Sequence, residues 1–329
     1  MCRSCNFSGG QDRYDGTVMS PFTDWSFKYI FGREENKPNL IGFLNLMLMP
    51  ESPIVDVQYI SNESIPVSRK QKGCVFDILC QDVTGDKYLI EMQNSRADNM
   101  LERIIFYTCR LIDRMGERGD DWDYAGIKKV YSICLMNYIY ELEPRLRRDI
   151  QLCDVNEKKP FSDKLNIIMV QMPCANGLDF SKCSAYYEYL LSLLQQMHNG
   201  MKTIEELKQE VAQTQLPKAT KELFYQVLET ARVGSLSEED RLSYESDLKN
   251  YRDTMSCIRF ARKEGSTEGF GRGFEKGKEE GRKEDRKEGR KEGEDKRNVE
   301  IAKSMKAKGM ESSLISECTG LPVEKIEIL

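Results

Sequence analysis

Histidine is nearly absent: His198 is the single imidazole in 329 residues. Chemistry built on paired histidines is therefore excluded, and a Ser-His-Asp triad would have to recruit this one ring. It stands in Gln195-Gln196-Met197-His198-Asn199-Gly200, an order that reads as a helix end capped by the histidine. Cysteines number 11, scattered and odd in count. With no secretory leader, this pattern implies free thiols in a reducing cytoplasm rather than a disulfide framework. Cys2-x-x-Cys5 has no second pair downstream, so a zinc site would lack ligands. Apolar runs of about 18 residues are also lacking, which excludes a transmembrane helix and a membrane partner. Nor is there a basic excess. Lys and Arg total 49 against 54 Asp and Glu, a net charge of −5, which argues against a general nucleic-acid scavenger but not against a local basic groove.

What is present is a chain that is 40% hydrophobic and 31% charged, enough for one large or two modest domains and a tail. Its most informative stretch is Phe76-Asp77-Ile78 followed by Tyr88-Leu89-Ile90-Glu91-Met92-Gln93. Two apolar runs each carry an acid, and a strand seldom buries an ionised carboxylate without a partner. Between them Asp82-Val83-Thr84-Gly85-Asp86-Lys87 reads as a hairpin turn. Side chains alternate along a strand, so Glu91 and Gln93 share a face and Tyr88, Ile90 and Met92 share the other.

The loop length decides what Asp77 does. A two-residue loop, Thr84-Gly85, pairs Asp77 with Met92. A three-residue loop, Val83-Thr84-Gly85 with Gly85 left-handed, pairs Asp82 with Asp86 and sets Asp77 opposite Glu91. Cross-strand Cβ atoms then lie about 4.5–5.5 Å apart, close enough for two carboxylates to share one hard cation. The plainer alternative is a hairpin whose acids face water.

These residues resemble the core of the PD-(D/E)XK nuclease superfamily, and most closely its branch of recombination-promoting, transposase-like nucleases. Asp77, the Gly85 turn and Ile90-Glu91-Met92-Gln93 carry the likeness, together with the opening Asp24-x-x-Phe27-Lys28-x-x-Phe31 and the downstream Arg103, Phe106, Tyr107 and Arg110. The likeness spans roughly residues 17–260. It implies an α/β, restriction-endonuclease-like fold: a central mixed β-sheet flanked by helices, then a helical region and a charged, glycine-rich tail. It implies that Asp77 and Glu91 bind Mg²⁺ (or Mn²⁺), that Asp77, Glu91 and Gln93 are catalytic, and that DNA is the substrate. Gln93 stands where the wider superfamily usually has Lys. A neutral amide can orient a water but cannot neutralise developing phosphate charge. Lys72 or Lys87 could supply that charge, and Asp24 matches a helix acid that some members add to the metal shell; the alternative for Asp24 is a first-turn acid favoured by the helix dipole.

The rest of the chain divides as follows. Residues 1–19 are polar and expected to be flexible, 20–178 hold the nuclease-like core, and 179–261 a helical region. Helices are predicted over 22–31, 37–49 and 94–115, and strands over 54–60, 128–136 and 164–172. On the third helix, Leu101, Ile104, Ile105, Thr108, Ile112 and Met115 form the apolar face, while Arg103, Tyr107, Arg110 and Arg114 suit a phosphate backbone or simply a solvated face.

Residues 262–297 place glycines at four-residue spacing among Glu, Lys and Arg. Each interior Gly costs about 0.8–1.0 kcal/mol relative to Ala, and an ion pair returns only about 0.2–0.5 kcal/mol. A spacer or frayed helix is expected, with self-association through the tail as the alternative. Residues 298–329 resemble a small helix-turn-helix-like unit. Its last helix carries Glu324 and Glu327 where a base-reading helix needs Arg, Lys, Asn or Gln, so it reads as a hydrophobic docking unit. Two function classes remain: a Mg²⁺-dependent DNA endonuclease linked to recombination or mobile elements, and a non-catalytic DNA-binding or scaffolding protein that keeps the nuclease fold.

Overall fold

The structure, a computed structural model, describes residues 14, 16–60, 63–64, 74–75, 77–96, 99–116, 123–140 and 144–329. In chain order the strands are β1 (Val57–Tyr59), β2 (Glu63–Ser64), β3 (Cys74–Val75), β4 (Ile78–Asp82), β5 (Lys87–Gln93), β6 (Val130–Met136), β7 (Arg147–Cys153) and β8 (Pro160–Gln171). Six of them form one mixed sheet, ordered β1-β4-β5-β6-β8-β7, while β2 and β3 pair by themselves. β1, β4 and β5 run antiparallel, β5, β6 and β8 run parallel, and β7 returns antiparallel along β8. The parallel strands are the apolar ones: Tyr88 to Met92 and Ser132 to Met136 are buried throughout, as expected of strands covered on both faces.

One face carries Ile78, Cys80, Tyr88, Ile90, Ile133, Leu135 and Ile168. It packs against α1 (Asp24–Phe31), α2 (Lys37–Leu48), α4 (Tyr186–Asn199), α5 (Ile204–Gln213) and α6 (Lys218–Thr230). Phe27, Phe31 and Phe43 meet in tilted pairs there, with ring centroids 5.3 and 5.4 Å apart. The other face is covered by α3 (Met100–Asp113), which links β5 to β6 and seats Leu111 on Leu79, Leu89 and Val130. The α/β, restriction-endonuclease-like expectation holds.

Four details depart from the sequence reading. First, the ordered body begins before residue 20. Val18 and Met19 are buried, and the 17–19 segment bonds to 231–233 through Met19 N to Ala231 O at 2.7 Å and Val233 N to Thr17 O at 3.0 Å. Second, the helices after residue 179 are not a separate region. Leu190, Leu194, Leu207, Val211, Phe224 and Leu228 belong to the same core as the sheet, because one sheet face needs that cover. Third, α3 starts at Met100 rather than Asn94, and its buried face runs Met100, Ile104, Thr108, Leu111. Thr108 Oγ1 lies 2.7 Å from Ser132 Oγ, which turns this face inward and leaves Ile105 52% exposed. Fourth, β7 was not anticipated. It is a polar edge strand with register shifts near Leu152, and its exposed side chains give no clean alternation.

The chain divides into two compact units, residues 1–251 and 252–329. α7 (Glu238–Ala307) begins in the first, where Ser237 Oγ accepts from Asp240 N at 3.1 Å and Tyr244 is buried. The glycine-rich segment is helical in the structure rather than a coil. Packing nucleates the helix at both ends, and propagation is far cheaper than nucleation. Ion pairs such as Lys283–Glu279 at 2.7 Å add small increments along it. In the second unit α7, α8 (Ser312–Thr319) and α9 (Val323–Glu327) close a core of Ala302, Ile315, Leu321 and Ile326.

The β4–β5 loop holds the one glycine on which the site depends. Gly85 sits at φ +87°, and an added Cβ would also approach Lys128 Cγ at 3.3 Å. Gly85→Ala is expected to lower stability by about 1–2 kcal/mol, the cost of a left-handed non-glycine residue. The midpoint of urea unfolding checks this, and an unchanged midpoint would contradict it.

Candidate active site

The three-residue loop is the one the structure adopts. Asp82 N donates to Asp86 O at 3.0 Å, and Ile78 pairs with Ile90, so the register continued by one residue sets Asp77 opposite Glu91. Asp82 holds the loop: its Oδ1 accepts from Thr84 N at 2.9 Å, Thr84 Oγ1 at 2.7 Å and Asp86 N at 3.0 Å. Tyr88 Oη donates to Asp82 Oδ2 at 2.9 Å.

Asp77 stands just ahead of β4, and its Oδ2 accepts from Met92 N at 2.8 Å. Glu91 lies in the middle of the sheet and is only 7% exposed. Gln93 Nε2 donates to Glu91 Oε2 at 3.1 Å, so the two share a face as the alternation requires. Glu91 Oε1, by contrast, is buried with no hydrogen-bond partner among the described residues. Burial first, and the Asp77 carboxylate second, push the Glu91 carboxyl up to about 8. Burial likewise raises Asp77, against the pull of the Met92 N–H and Lys28. Without a cation, the pair therefore holds fewer than two negative charges near neutrality.

Two spaces adjoin the pair. Under α3 a cavity of about 10 Å³, the size of one water, touches Glu91, Arg103, Ser132 and Cys134. On the α1 side an open cleft of about 440 Å³ is lined by Asp24, Trp25, Lys28, Tyr29, Arg33 and Asp77. Asp24 opens α1 behind the N-cap Thr23, whose Oγ1 accepts from Ser26 N at 3.3 Å. Its carboxylate binds Lys28 Nζ at 2.8 Å, so it serves the helix and faces the cleft together. Lys28 reaches on to Asp77 Oδ1 at 3.8 Å. Burial opposes the Lys28 charge, but the bond to Asp24 and the fields of Asp77 and Glu91 outweigh it and raise its pKa.

The other sequence-derived candidates are spread out. Arg103 senses Glu91 from α3 and bonds Met100 Sδ at 3.4 Å, with its guanidinium 6.0 Å from the Tyr107 ring. Arg110 pairs with Asp113 at 3.2 Å, and Arg114 acts on Lys87, whose pKa falls through burial and that like charge. The row Arg103-Tyr107-Arg110-Arg114 thus runs along β5 from the Glu91 end to the Lys87 end. Lys87 itself is not brought to the carboxylates, since four strand steps put it about 13 Å along β5 from Glu91. Lys72 and Cys2-x-x-Cys5 lie outside the described residues.

His198 is not a helix cap. Gly200, at φ +62°, caps α4, while the His198 ring stacks on Phe22 at 4.4 Å and its Nδ1 lies 2.7 Å from Ser20 Oγ. Burial holds its pKa down to about 4, so it is neutral. Its neighbourhood is a tether: Asn94 donates to Phe22 O at 2.6 Å, and Asn137 bonds Asn94 at 3.3 Å and Tyr251 Oη at 2.9 Å. These bonds tie the segment ahead of α1 to the ends of β5 and β6.

Over residues 21–261 the chain matches the sequence model of the PD-(D/E)XK nuclease family transposases. The chain belongs to this family. No curated protein and no solved structure matches it. PD-(D/E)XK nucleases generally use divalent metals, and the residues here fit one. Glu91 Oε1 is an orphaned buried acceptor, and the two carboxylates supply the oxygen donors Mg²⁺ prefers. Among the described residues no group of three or more His, Cys, Asp or Glu forms a ready cage. That suits an ion bound through one or two carboxylates, with water and substrate completing its shell.

Lys28 is the residue that sequence reasoning missed. It was part of the family's opening motif, but its spacing from Asp77 carried no signal of contact. The signal that was available is the i,i+4 step from Asp24.

In the metal-free protein Glu91 costs stability where it ionises. Its folded pKa of about 8 lies above the ordinary 4.5, so the folded state favours the protonated form. The penalty is absent at low pH, grows as pH rises from about 4.5 and is complete above about 8. Glu91→Gln is expected to match the wild type near pH 4 and to exceed it by a few kcal/mol near pH 9 in EDTA. Thermal melts across that range test this, and a constant gap would contradict it.

Proposed function

We propose that this PD-(D/E)XK family protein is a Mg²⁺-dependent endonuclease that hydrolyses DNA phosphodiester bonds, with Mn²⁺ as an alternative ion, and that it acts in recombination or on mobile elements. The observation that carries the reading is the buried pair itself: Asp77 opposite Glu91, with Glu91 Oε1 unpartnered. A fold has no structural use for two adjacent charge-suppressed carboxyls in one sheet, since each costs free energy that an apolar pair would not.

Asp77 and Glu91 would hold the ion. When bound, the ion supplies charge that offsets the developing negative charge of a phosphodiester and favours an attacking hydroxide. Gln93, fixed by its bond to Glu91, presents an amide oxygen able to orient a water. Asp24 stands at the mouth of the open cleft, where an accessory role towards the ion is sterically open to it. Arg103, Tyr107, Arg110 and Arg114 form the proposed track for the DNA backbone on the α3 side. The described cysteines are free and no described helix is long and apolar enough to cross a membrane, in keeping with a cytoplasmic site of action.

Supercoiled plasmid incubated with Mg²⁺ tests the reading. Wild type is expected to nick or linearise it, EDTA to stop the reaction, and Asp77→Ala to lower the rate by more than about 100-fold while gel-shift binding of DNA persists. Binding without cleavage by the wild type, with Mg²⁺ or Mn²⁺, would favour the non-catalytic DNA-binding reading instead. Arg103→Ala combined with Arg110→Ala is expected to weaken DNA binding and to make it less salt-dependent by about two phosphate contacts. An unchanged salt slope would remove α3 from the interface.

A further inference from the structure

The strand that carries Glu91 offers Gln93 rather than a cation. The surrounding helices provide cations, and geometry sorts them. Arg103 approaches Glu91 from the α3 side, but it lines the 10 Å³ cavity rather than the open cleft. Arg33 lines the cleft but is bound to Asp240 at 2.7 Å and lies over the Tyr29 ring at 4.3 Å. Lys129 is engaged with Asp163 at 2.7 Å, and Lys87 sits at the far end of β5. Lys28 is ion-paired too, but it alone of these both lines the open cleft and reaches Asp77. Its Nζ is 2.8 Å from Asp24 and 3.8 Å from Asp77, and its side chain is 39% exposed into the cleft of about 440 Å³. Asp24, one helical turn earlier, holds the ammonium in place, while the Ser20–His198 and Asn94–Phe22 bonds fix the helix that carries both.

We infer that Lys28 contacts the scissile phosphodiester from the α1 side, as the cation that the Glu91–Gln93 strand lacks, and that the α1 cleft is where this phosphate enters. The inference rests on the nuclease reading above. An ammonium is a compact point charge able to meet a non-bridging phosphate oxygen, and here it would do so while still touching Asp77. The competing role is purely internal: Lys28 neutralises Asp24 and Asp77 and never meets DNA.

The two roles separate in the salt dependence of binding. A short fluorescent DNA, duplex or single-stranded, is titrated with full-length protein in Ca²⁺ across a series of KCl concentrations. Lys28→Met is expected to reduce the slope of log K against log[KCl] by about 0.9, one phosphate contact on duplex DNA, and Lys28→Arg to restore it. Lys28→Gln, which keeps a hydrogen bond to Asp24 without the charge, serves if the Met variant melts early. Single-turnover cleavage by Lys28→Met should also fall by about 100-fold. An unchanged slope in both neutral variants overturns the Lys28 contact and leaves the nuclease reading standing. A reduced slope in a protein that never cuts DNA leaves a phosphate contact at Lys28 but overturns the nuclease reading and, with it, the assignment of that phosphate as the scissile one. No DNA binding by the wild type overturns both.

Discussion

The register of the β4–β5 hairpin is the constraint on which the site rests. A slip of one residue would set Asp77 beside Met92 and turn Glu91 towards the opposite layer. Three bonds to Asp82 Oδ1 and the left-handed Gly85 prevent that slip. Tyr88 then ties the start of β5 back to the same Asp82 carboxylate. The loop therefore does more than reverse the chain: it selects, from two loop lengths the sequence permits, the one that brings the two acids together.

Around the pair, charge is balanced from two sides. Lys28 reaches Asp77 across the open cleft, and Arg103 acts on Glu91 from under α3. Neither cancels the repulsion and burial that raise the Glu91 carboxyl, and neither satisfies Glu91 Oε1. The arrangement is stable enough to fold because the remaining oxygens are bonded: Asp77 Oδ2 to Met92 N, Glu91 Oε2 to Gln93. One buried acceptor, Glu91 Oε1, is left over. A buried group in that state costs free energy that a bound ligand can recover.

How much of this was readable in the sequence follows from range. The acids in apolar strands, the Asp82–Gly85 loop and the buried runs of β5, β6 and β8 are local signals and were legible. What was hidden depends on partners distant in sequence. Lys28 reads as an ordinary amphipathic-helix lysine until Asp77 arrives beside it. His198 looks like a helix end until Phe22 and Ser20 pack on its ring. α4 to α6 look like a separate polar region because their apolar stripes are narrow, yet those stripes complete the sheet's core. β7 escaped notice because an exposed edge strand has no burial pattern to betray it. The glycine-rich segment of α7, read as a spacer or frayed helix, is helical in the structure, where packing at its two ends adds to what per-residue propensities count.

Calorimetric titration of Mn²⁺ into the full-length protein, beside Asp77→Asn and Glu91→Gln, tests most directly whether the two carboxyls form one cation site. A single site per chain in the wild type, lost or greatly weakened in both variants alike, is the predicted result. Equal Mn²⁺ binding by all three proteins, or loss in only one variant, would contradict a shared site across the β4–β5 pair.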